Sequence, residues 1–284
     1  MAQNMKDIKR RIKSVESTMK ITNAMKLVSA SKLRKAKLRF NQVAPFFAEI
    51  RKNMLDIAKD TDVHTLKYVQ KNASEKELFI VIGGDRGLAG GYNINIFKRV
   101  LEETKGKNVM VLPIGKVAVD YFKKNKFELL GSYENIGENI TIEKAYHMAT
   151  KILYHYNKSE IGKIKLAYTA FISTLSQEPE IKKVLPLKFD EVNELKTKKA
   201  AVNYDPSPAV VFESIVPQYF AGMLFGAIVE SFAAEQSARS NAMDSATNNA
   251  KDIIADLSLI YNRIRQAAIT NEIIEIVSGN VVKG

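Results

Sequence analysis

The stretch KDIKRRIKSVESTMKITNAMKLVSASKLRKAKLRF, residues 6–40, combines many basic side chains with apolar residues spaced three and four positions apart. This spacing places the apolar side chains on one face of an α-helix, and its repetition every seven residues is typical of a coiled coil. Neither glycine nor proline interrupts the pattern before Pro45. The stretch therefore predicts a long amphipathic helix at the N-terminus.

The same seven-residue register covers residues 1–57. Its core positions form two series: Met1, Ile8, Val15, Thr22, Ser29, Ala36, Val43, Ile50 and Ile57, and Met5, Ile12, Met19, Lys26, Leu33, Phe40, Phe47 and Met54. Polar residues occupy only three adjacent core positions, Thr22, Lys26 and Ser29. We expect a bend at Pro45, because a proline inside a helix removes one hydrogen bond and crowds the preceding turn.

A second register of this kind covers residues 225–281. Its two series are Phe225, Phe232, Arg239, Ala246, Ile253, Ile260, Ala267, Ile274 and Val281, and Val229, Gln236, Met243, Ala250, Leu257, Ile264, Asn271 and Ser278. No glycine or proline occurs between residues 227 and 278. Each helix has an apolar stripe, so the simplest arrangement is an antiparallel coiled coil of the two terminal helices.

The two helices differ in length. At ~1.5 Å per residue, residues 1–57 span roughly 85 Å and residues 209–284 roughly 110 Å. We therefore expect the last part of the C-terminal helix, RQAAITNEIIEIVSG (265–279), to extend past its partner. Its apolar residues would then have no partner within this chain.

Between the helices the sequence alternates between strand-like and helix-like segments. ELFIVIGG (77–84) is an apolar run that ends in glycine, typical of a buried strand. Further strands are predicted over 108–115, 127–133, 163–173 and 181–187, with helices over 93–104, 116–125 and 141–158. This order predicts a Rossmann-like α/β domain with a mostly parallel sheet. We expect this domain over residues 75–193, and the coiled-coil segments over 1–60 and 208–284.

The formal net charge of +12 is unevenly distributed. Residues 1–39 carry a net charge of +10, and residues 208–284 a net charge of −3. Such a basic segment attracts an anionic partner, which could be nucleic acid, anionic lipid or an acidic protein, or it is simply a solvated helix face. A basic coiled-coil protein that binds nucleic acid is therefore one alternative. Against it, the apolar positions run through the charged segment itself, which favours a packed helix with a charged outer side.

The sequence offers few groups for catalysis or metal binding. It has no cysteine, and His64, His147 and His155 lack metal-ligand spacing, so we expect neither a metal site nor a cofactor. GGDRGLAGGYN (83–93) matches neither phosphate-binding fingerprint; it is a nucleotide loop, a structural turn, or a protein-contact loop that presents Asp85 and Arg86. The longest apolar stretch, residues 215–229, is shorter than the ~20 residues of a membrane span. We expect no membrane insertion.

Three segments resemble the gamma subunit of the F-type ATP synthase. They are KITNAMKLVSASKLRKA (20–36), GDRGLAGGYN (84–93) and SARSNAMDSATNNAKDIIADLSLIYNRIRQAAITNEIIEIVSG (237–279). The family pattern Ile/Val-Thr-x-Glu-x-x-Asp/Glu-x-x-x-Gly-Ala falls on Ile269, Thr270, Glu272, Glu275 and Gly279. The chain departs from the family at Asn280, where alanine is preferred, and at Gly84 and Ala89, where serine and cysteine are preferred.

The resemblance implies a non-catalytic rotor at the cytoplasmic face of the cell membrane. In this family the coiled coil turns inside a ring of alpha and beta subunits, and the α/β domain contacts epsilon and the membrane ring of c subunits. No nucleic acid takes part. The family's contact positions for the beta subunit fall on Arg265, Gln266, Thr270, Glu272 and Met25.

Basic side chains on the N-terminal helix are expected to attract acidic loops of successive beta subunits. Each such contact is screened and replaceable, with a free energy of ~0.2–1 kcal/mol. The residues expected to make them are Lys9, Arg10, Lys13, Lys32, Arg34 and Lys35.

Overall fold

The computed structural model of the protein describes residues 2–59, 65–188 and 204–281, without the side chains of residues 2, 3, 59 and 275–281. The helices are α1 (Ala2–Lys59), α2 (Tyr92–Thr104), α3 (Lys116–Lys124), α4 (Ile142–Asn157) and α5 (Pro208–Val281). The strands are β1 (Glu77–Ile82), β2 (Val109–Ile114), β3 (Glu128–Leu129), β4 (Lys163–Phe171) and β5 (Gln177–Leu185). This confirms the predicted α/β fold with long terminal helices. The α1 helix is continuous through Pro45.

The five strands form one sheet in the order β3-β2-β1-β4-β5. All neighbours pair in parallel except β4 and β5, which are antiparallel. The prediction of a mostly parallel sheet is therefore confirmed. The last strand begins at Gln177, four residues earlier than predicted. Its first residues are polar, and they include Pro179, which is tolerated because β5 is an edge strand.

The central strand β1 is buried on both sides, which is why its sequence is continuously apolar. Leu78, Ile80 and Ile82 belong to a core shared with α4 and with parts of α1 and α5. Phe79 and Val81 point into a second core, which is formed with α2 and α3. The sheet is thus covered by helices on both faces.

The chain divides into two compact units. One consists of residues 1–29 and 239–284, and the other of residues 30–238. Both long helices contribute to each unit. The predicted domain boundaries stay predictions, and the boundary at residue 193 lies outside the described residues. Within the second unit, α1 and α5 approach closely at Gly222, where an added Cβ would lie 2.1 Å from Cδ1 of Phe47.

In the first unit α1 and α5 run antiparallel. The hydroxyl groups of Thr22 and Thr247 are 2.8 Å apart, and the Lys26 Nζ donates to Asp244 Oδ1 at 2.6 Å. Two of the three polar interruptions in the apolar register of α1, Thr22 and Lys26, therefore meet polar partners on α5. Among its core positions with described side chains, only Phe40 is exposed, so the register predicted for α1 is confirmed.

Two general tests bear on membrane and metal function. By length and composition α5 could cross a membrane within Pro208–Ile274, but half of its most apolar segment is buried inside the protein. The core helix of a folded domain can have the same length and composition. Among the described residues, no group of three or more histidine, aspartate or glutamate side chains is placed to hold a metal ion.

Candidate partner-binding site

The register of the first unit leaves the end of α5 without a partner from α1. Thr22 lies opposite Thr247 and Lys26 opposite Asp244, so each step toward the start of α1 is a step toward the end of α5. Continued at this register, the start of α1 lies opposite residue ~268. About 13 residues of α5, from 269 to 281, therefore extend past α1, a length of ~20 Å. We call residues 269–281 the α5 overhang.

Three large aliphatic side chains are exposed on the α5 overhang. Ile269 is 48% exposed, Ile273 56% and Ile274 55%. Because they lie within two turns of one helix, they form a local apolar surface rather than scattered single residues. Apolar surface of this kind marks a site of contact with another molecule.

The four polar residues predicted to contact beta lie on and beside this surface. Arg265, Gln266, Thr270 and Glu272 are all exposed. Arg265 and Glu272 are seven positions apart and share one side of the helix, whereas Gln266 and Thr270 share another. The Thr270 hydroxyl donates to the Gln266 carbonyl oxygen at 2.9 Å, so its proton is already used within the helix. Thr270 can still accept a hydrogen bond from a partner.

The apolar face of α5 differs from the predicted register by one residue in one of its two series. The confirmed series is Met243, Ala250, Leu257 and Ile264, which are buried or half-buried. The other series was wrong at Ile253, Ile260 and Ala267, which are exposed. Their places are taken by the residues one position later, Ile254, Tyr261 and Ala268. As a result Ile253, Leu259 and Ile260 lie on the outer side of α5.

The start of α1 in the same unit is cationic instead. Lys9 and Lys13 are exposed and form no ion pair within the described part of the chain. Arg10 is exposed as well, with Asp7 as its partner at 3.0 Å. The first unit therefore presents basic side chains near the start of α1, and exposed aliphatic side chains on α5 and farther along α1, at Ile21–Val28.

The other three predicted basic residues belong to the second unit. Lys32 forms an ion pair with Glu138, whereas Arg34 and Lys35 are exposed and form no ion pair among the described residues. The six basic residues thus fall in different units, and two of them already have carboxylate partners. Surface charge on α1 is consequently less uniform than the sequence suggests.

The glycine-rich loop after β1 is hydrogen-bonded to two other segments of the central domain. Asp85 Oδ1 accepts hydrogen bonds from the backbone amides of Lys116, at 3.0 Å, and Asn135, at 2.8 Å. Its carboxylate therefore ties this loop to the start of α3 and to the loop before α4. Arg86 is exposed beside it. This geometry favours a structural turn, and the contact role of Asp85 and Arg86 stays a prediction.

Comparison with known proteins gives the family. A family model described as ATP synthase matches residues 4–281. The ATP synthase gamma chain of Ruminococcus albus is 45% identical over 283 residues, which covers 98% of this chain and 98% of that protein. The chain belongs to the ATP synthase gamma chain family. The sodium ion specific ATP synthase gamma chain of Acetobacterium woodii is 36% identical, with 98% of both chains covered.

Solved structures from mitochondrial ATP synthases contain chains of the same fold. A chain in the Euglena gracilis mitochondrial ATP synthase, OSCP/F1/c-ring, superposes with a TM-score of 0.71 at 18% identity, over 99% of this chain and 95% of that one. A central stalk/c-ring structure from Tetrahymena thermophila gives a TM-score of 0.62 at 24% identity, over 80% of this chain and 99% of that one. Nothing in these comparisons supports a nucleic-acid-binding protein.

The residues that match the gamma chain motifs lie at two separate positions along the helices of the first unit. Met25 is half-buried on α1, opposite residue ~245 of α5, and is thus ~30 Å along the helix from Arg265. The structure does not bring Met25 together with the polar residues near the α5 overhang. The side chain of Glu275 lies outside the described part of the structure.

Two features of the site were not predicted from the sequence. The first is the aliphatic outer side of α5; adjacent apolar residues such as Ile253 and Ile254 make either register possible there. The second is the pairing of Lys32 with Glu138, which are 106 positions apart. The polar contacts between α1 and α5 could have been found, since lysine and threonine on α1 meet aspartate and threonine on α5.

Proposed function

We propose that this gamma chain is the central rotor of an ATP synthase. It turns within a ring of alpha and beta subunits and contacts epsilon and the membrane ring of c subunits, so that ion flow is coupled to ATP synthesis or hydrolysis. The relatives are ATP synthase gamma chains, and the structures of similar fold come from ATP synthase assemblies that include the c-ring. The chain itself supplies no catalytic group, and the complex lies at the cytoplasmic face of the cell membrane.

The α5 overhang is the observation that carries this proposal. A helix end with three exposed isoleucines is unfavourable in water, because each large aliphatic side chain gains about 1.5–3 kcal/mol on full burial. At the observed register, no α1 residue with a described side chain lies opposite the α5 overhang. A cavity in the surrounding ring would bury the isoleucines, and Arg265, Gln266 and Glu272 would provide polar contacts around them.

The two different sides of the first unit explain how rotation acts on the ring. A shaft that is equal on all sides would bind every beta subunit alike and could shift none of their conformations. Here one side offers Lys9 and Lys13, and another offers Ile253 and Ile260. At any rotor angle, the three beta subunits meet different chemistry. Screened ionic contacts on the basic side are weak enough to be exchanged during turning.

The test is the affinity of the full chain for the isolated alpha–beta hexamer. The double substitution Arg265→Ala and Gln266→Ala is expected to weaken binding by about ten- to a hundredfold, which corresponds to about 1.4–2.7 kcal/mol for the pair. The melting temperature of the free chain should not change. A matched pair on the exposed side of α2, Lys98→Ala and Arg99→Ala, serves as the control.

Two results would contradict the proposal. Unfolding of the Arg265/Gln266 variant would show that these residues are part of the chain's own core. Unchanged affinity for the hexamer, with the fold intact, would show that the end of α5 is not the contact surface.

A further inference from the structure

A basic cavity lies in the second unit, between α1, the loop before α4, and α5. Its volume is about 370 Å³. The α1 helix contributes Lys32, Lys35 and Arg39, which are three, four and seven positions apart and therefore share one side of the helix. With Glu138 from the loop, the ionisable lining side chains carry a net charge of +2.

The cavity is built by contacts that fix its walls. Arg39 donates to the Glu138 carbonyl oxygen at 2.6 Å, and the Lys32 ammonium forms an ion pair with the carboxylate of the same residue. The Lys144 Nζ donates to the Asn139 carbonyl oxygen at 3.3 Å. The loop is further held by the Asn135 amide, which donates to Asp85 at 2.8 Å. These contacts leave a defined concave wall.

Lys35 lines this cavity as an exposed side chain. It makes no ion pair with any residue in the described part of the chain, whereas Lys32 and Arg39 both contact Glu138. A cleft with an excess of one sign of charge concentrates counter-ions. Here buried Ala36 and half-buried Phe232 provide the apolar wall. Lys35 therefore faces a space in which an anion is favoured.

We propose that this cavity binds a small anion that carries two or more phosphate groups. The net charge of +2 matches such an anion, and the arginine fork suits phosphate oxygens. The Gln42 and Asn139 side chains line the same space and can donate amide hydrogens. A cavity of this volume falls in the range of roughly 300–1,000 Å³ typical of small-ligand sites. A convex acidic protein loop would not fill it as well.

This site goes beyond the rotor function, which uses Lys32 and Lys35 only as screened surface charges. Its ligand could be free pyrophosphate or a nucleoside diphosphate, which share the same phosphate chemistry. The Phe232 ring would favour the nucleotide. Pyrophosphate, ADP and adenosine are therefore the three probes for the purified full chain.

Calorimetric titration at fixed ionic strength tests the proposal. We expect pyrophosphate and ADP to bind at one saturable site, and adenosine alone not to bind. Lys35→Glu should weaken binding at least about tenfold, the loss expected when a charge-assisted hydrogen bond is removed. Arg34→Glu is the matched control, since it makes the same charge change one position away and outside the cavity; it should change affinity by less than about threefold.

Glu138→Gln should change the affinity for pyrophosphate in the opposite direction. The carboxylate competes with the anion for Lys32, so its removal should tighten pyrophosphate binding by about threefold or more. A purely structural role of Glu138 would predict weaker binding. Circular dichroism confirms that each variant is folded.

Three results would contradict the proposed site. The first is that neither pyrophosphate nor ADP binds saturably, and the second is that Lys35→Glu and Arg34→Glu lose equal affinity for them. The third is that an oligoglutamate peptide binds as tightly as pyrophosphate. The last result would assign the cavity to protein carboxylates instead.

Discussion

Replacing Gly222 with alanine should destabilise the second unit, although alanine is the better helix former. A Cβ added at Gly222 would lie 2.1 Å from Cδ1 and 2.5 Å from Cε1 of Phe47, far inside van der Waals contact. Phe47 cannot easily turn away, because it packs against Phe225 with ring centroids 6.2 Å apart. Overpacking of this kind costs about 1–3 kcal/mol. The gain from helix propensity is only ~1 kcal/mol, so the net loss should be up to ~2 kcal/mol.

The sign of the effect should reverse when the obstructing ring is removed. In a Phe47→Ala background, Gly222→Ala has no ring to displace and should stabilise the unit by ~1 kcal/mol. The coupling free energy between the two sites is then ~1–3 kcal/mol, which is the overpacking cost that the Phe47 ring imposes. Gly226→Ala is the matched control: a Cβ added there would lie 3.8 Å from Cε2 of Phe40, an ordinary contact. It should stabilise both backgrounds by ~1 kcal/mol.

Urea unfolding followed by circular dichroism measures all of these changes. If Gly222→Ala stabilised the protein with Phe47 present, the close packing of α1 against α5 at this level would be refuted. A coupling free energy near zero would refute it equally, because the two residues would then act independently.

Three further predictions concern charges and hydrogen bonds. Hydrogen bonds, above all the one from Lys165, lower the pKa of Glu103 from 4.5 to about 2. The ionised Glu103 therefore stabilises the folded protein above pH ~4.5, and this contribution is lost as the pH falls toward 2. Between pH 5 and pH 3, the urea midpoint of Glu103→Gln should fall less than that of the parent. Lys26→Ala and Asp244→Ala should show a coupling of at most ~1 kcal/mol in a double-mutant cycle, because both side chains are partly exposed; a larger value would mean a desolvated pair. Asp85→Ala should destabilise the central domain by about 1–3 kcal/mol, because it removes two hydrogen bonds worth about 0.5–1.5 kcal/mol each. Asp85→Asn keeps an acceptor and should cost less; no loss of stability would favour a pure contact role.

The sequence determines the local elements well and the long-range contacts poorly. The β1 strand was predictable because it is a short, continuous apolar run, and the α1 register because its apolar residues repeat with one period. On α5, apolar residues occur on both sides of the helix, as in Leu259–Ile260, so periodicity does not identify the packed side. β5 was placed too late, because the polar residues that begin it are typical of an exposed edge rather than of a buried strand.

The candidate site likewise has parts that the sequence predicts and parts that it does not. That the end of α5 extends past α1 followed from the lengths of two helices, and the residues near it followed from the family resemblance. The cavity at Lys35 did not, because it depends on Glu138 and Phe232, which lie about a hundred and two hundred positions away in the sequence. No local pattern specifies such a meeting of distant segments.

Cysteine labelling at the end of α5 tests the central claim most directly. The chain has no cysteine, so Ile273→Cys introduces a single thiol at a position that is 56% exposed, and the unchanged parent is the blank. We expect rapid reaction with a maleimide in the free chain and protection of at least about a hundredfold in the assembled ATP synthase, as for a buried interface position. Equal labelling rates in the free chain and the assembled complex would show that no partner receives the α5 overhang, and would contradict the account.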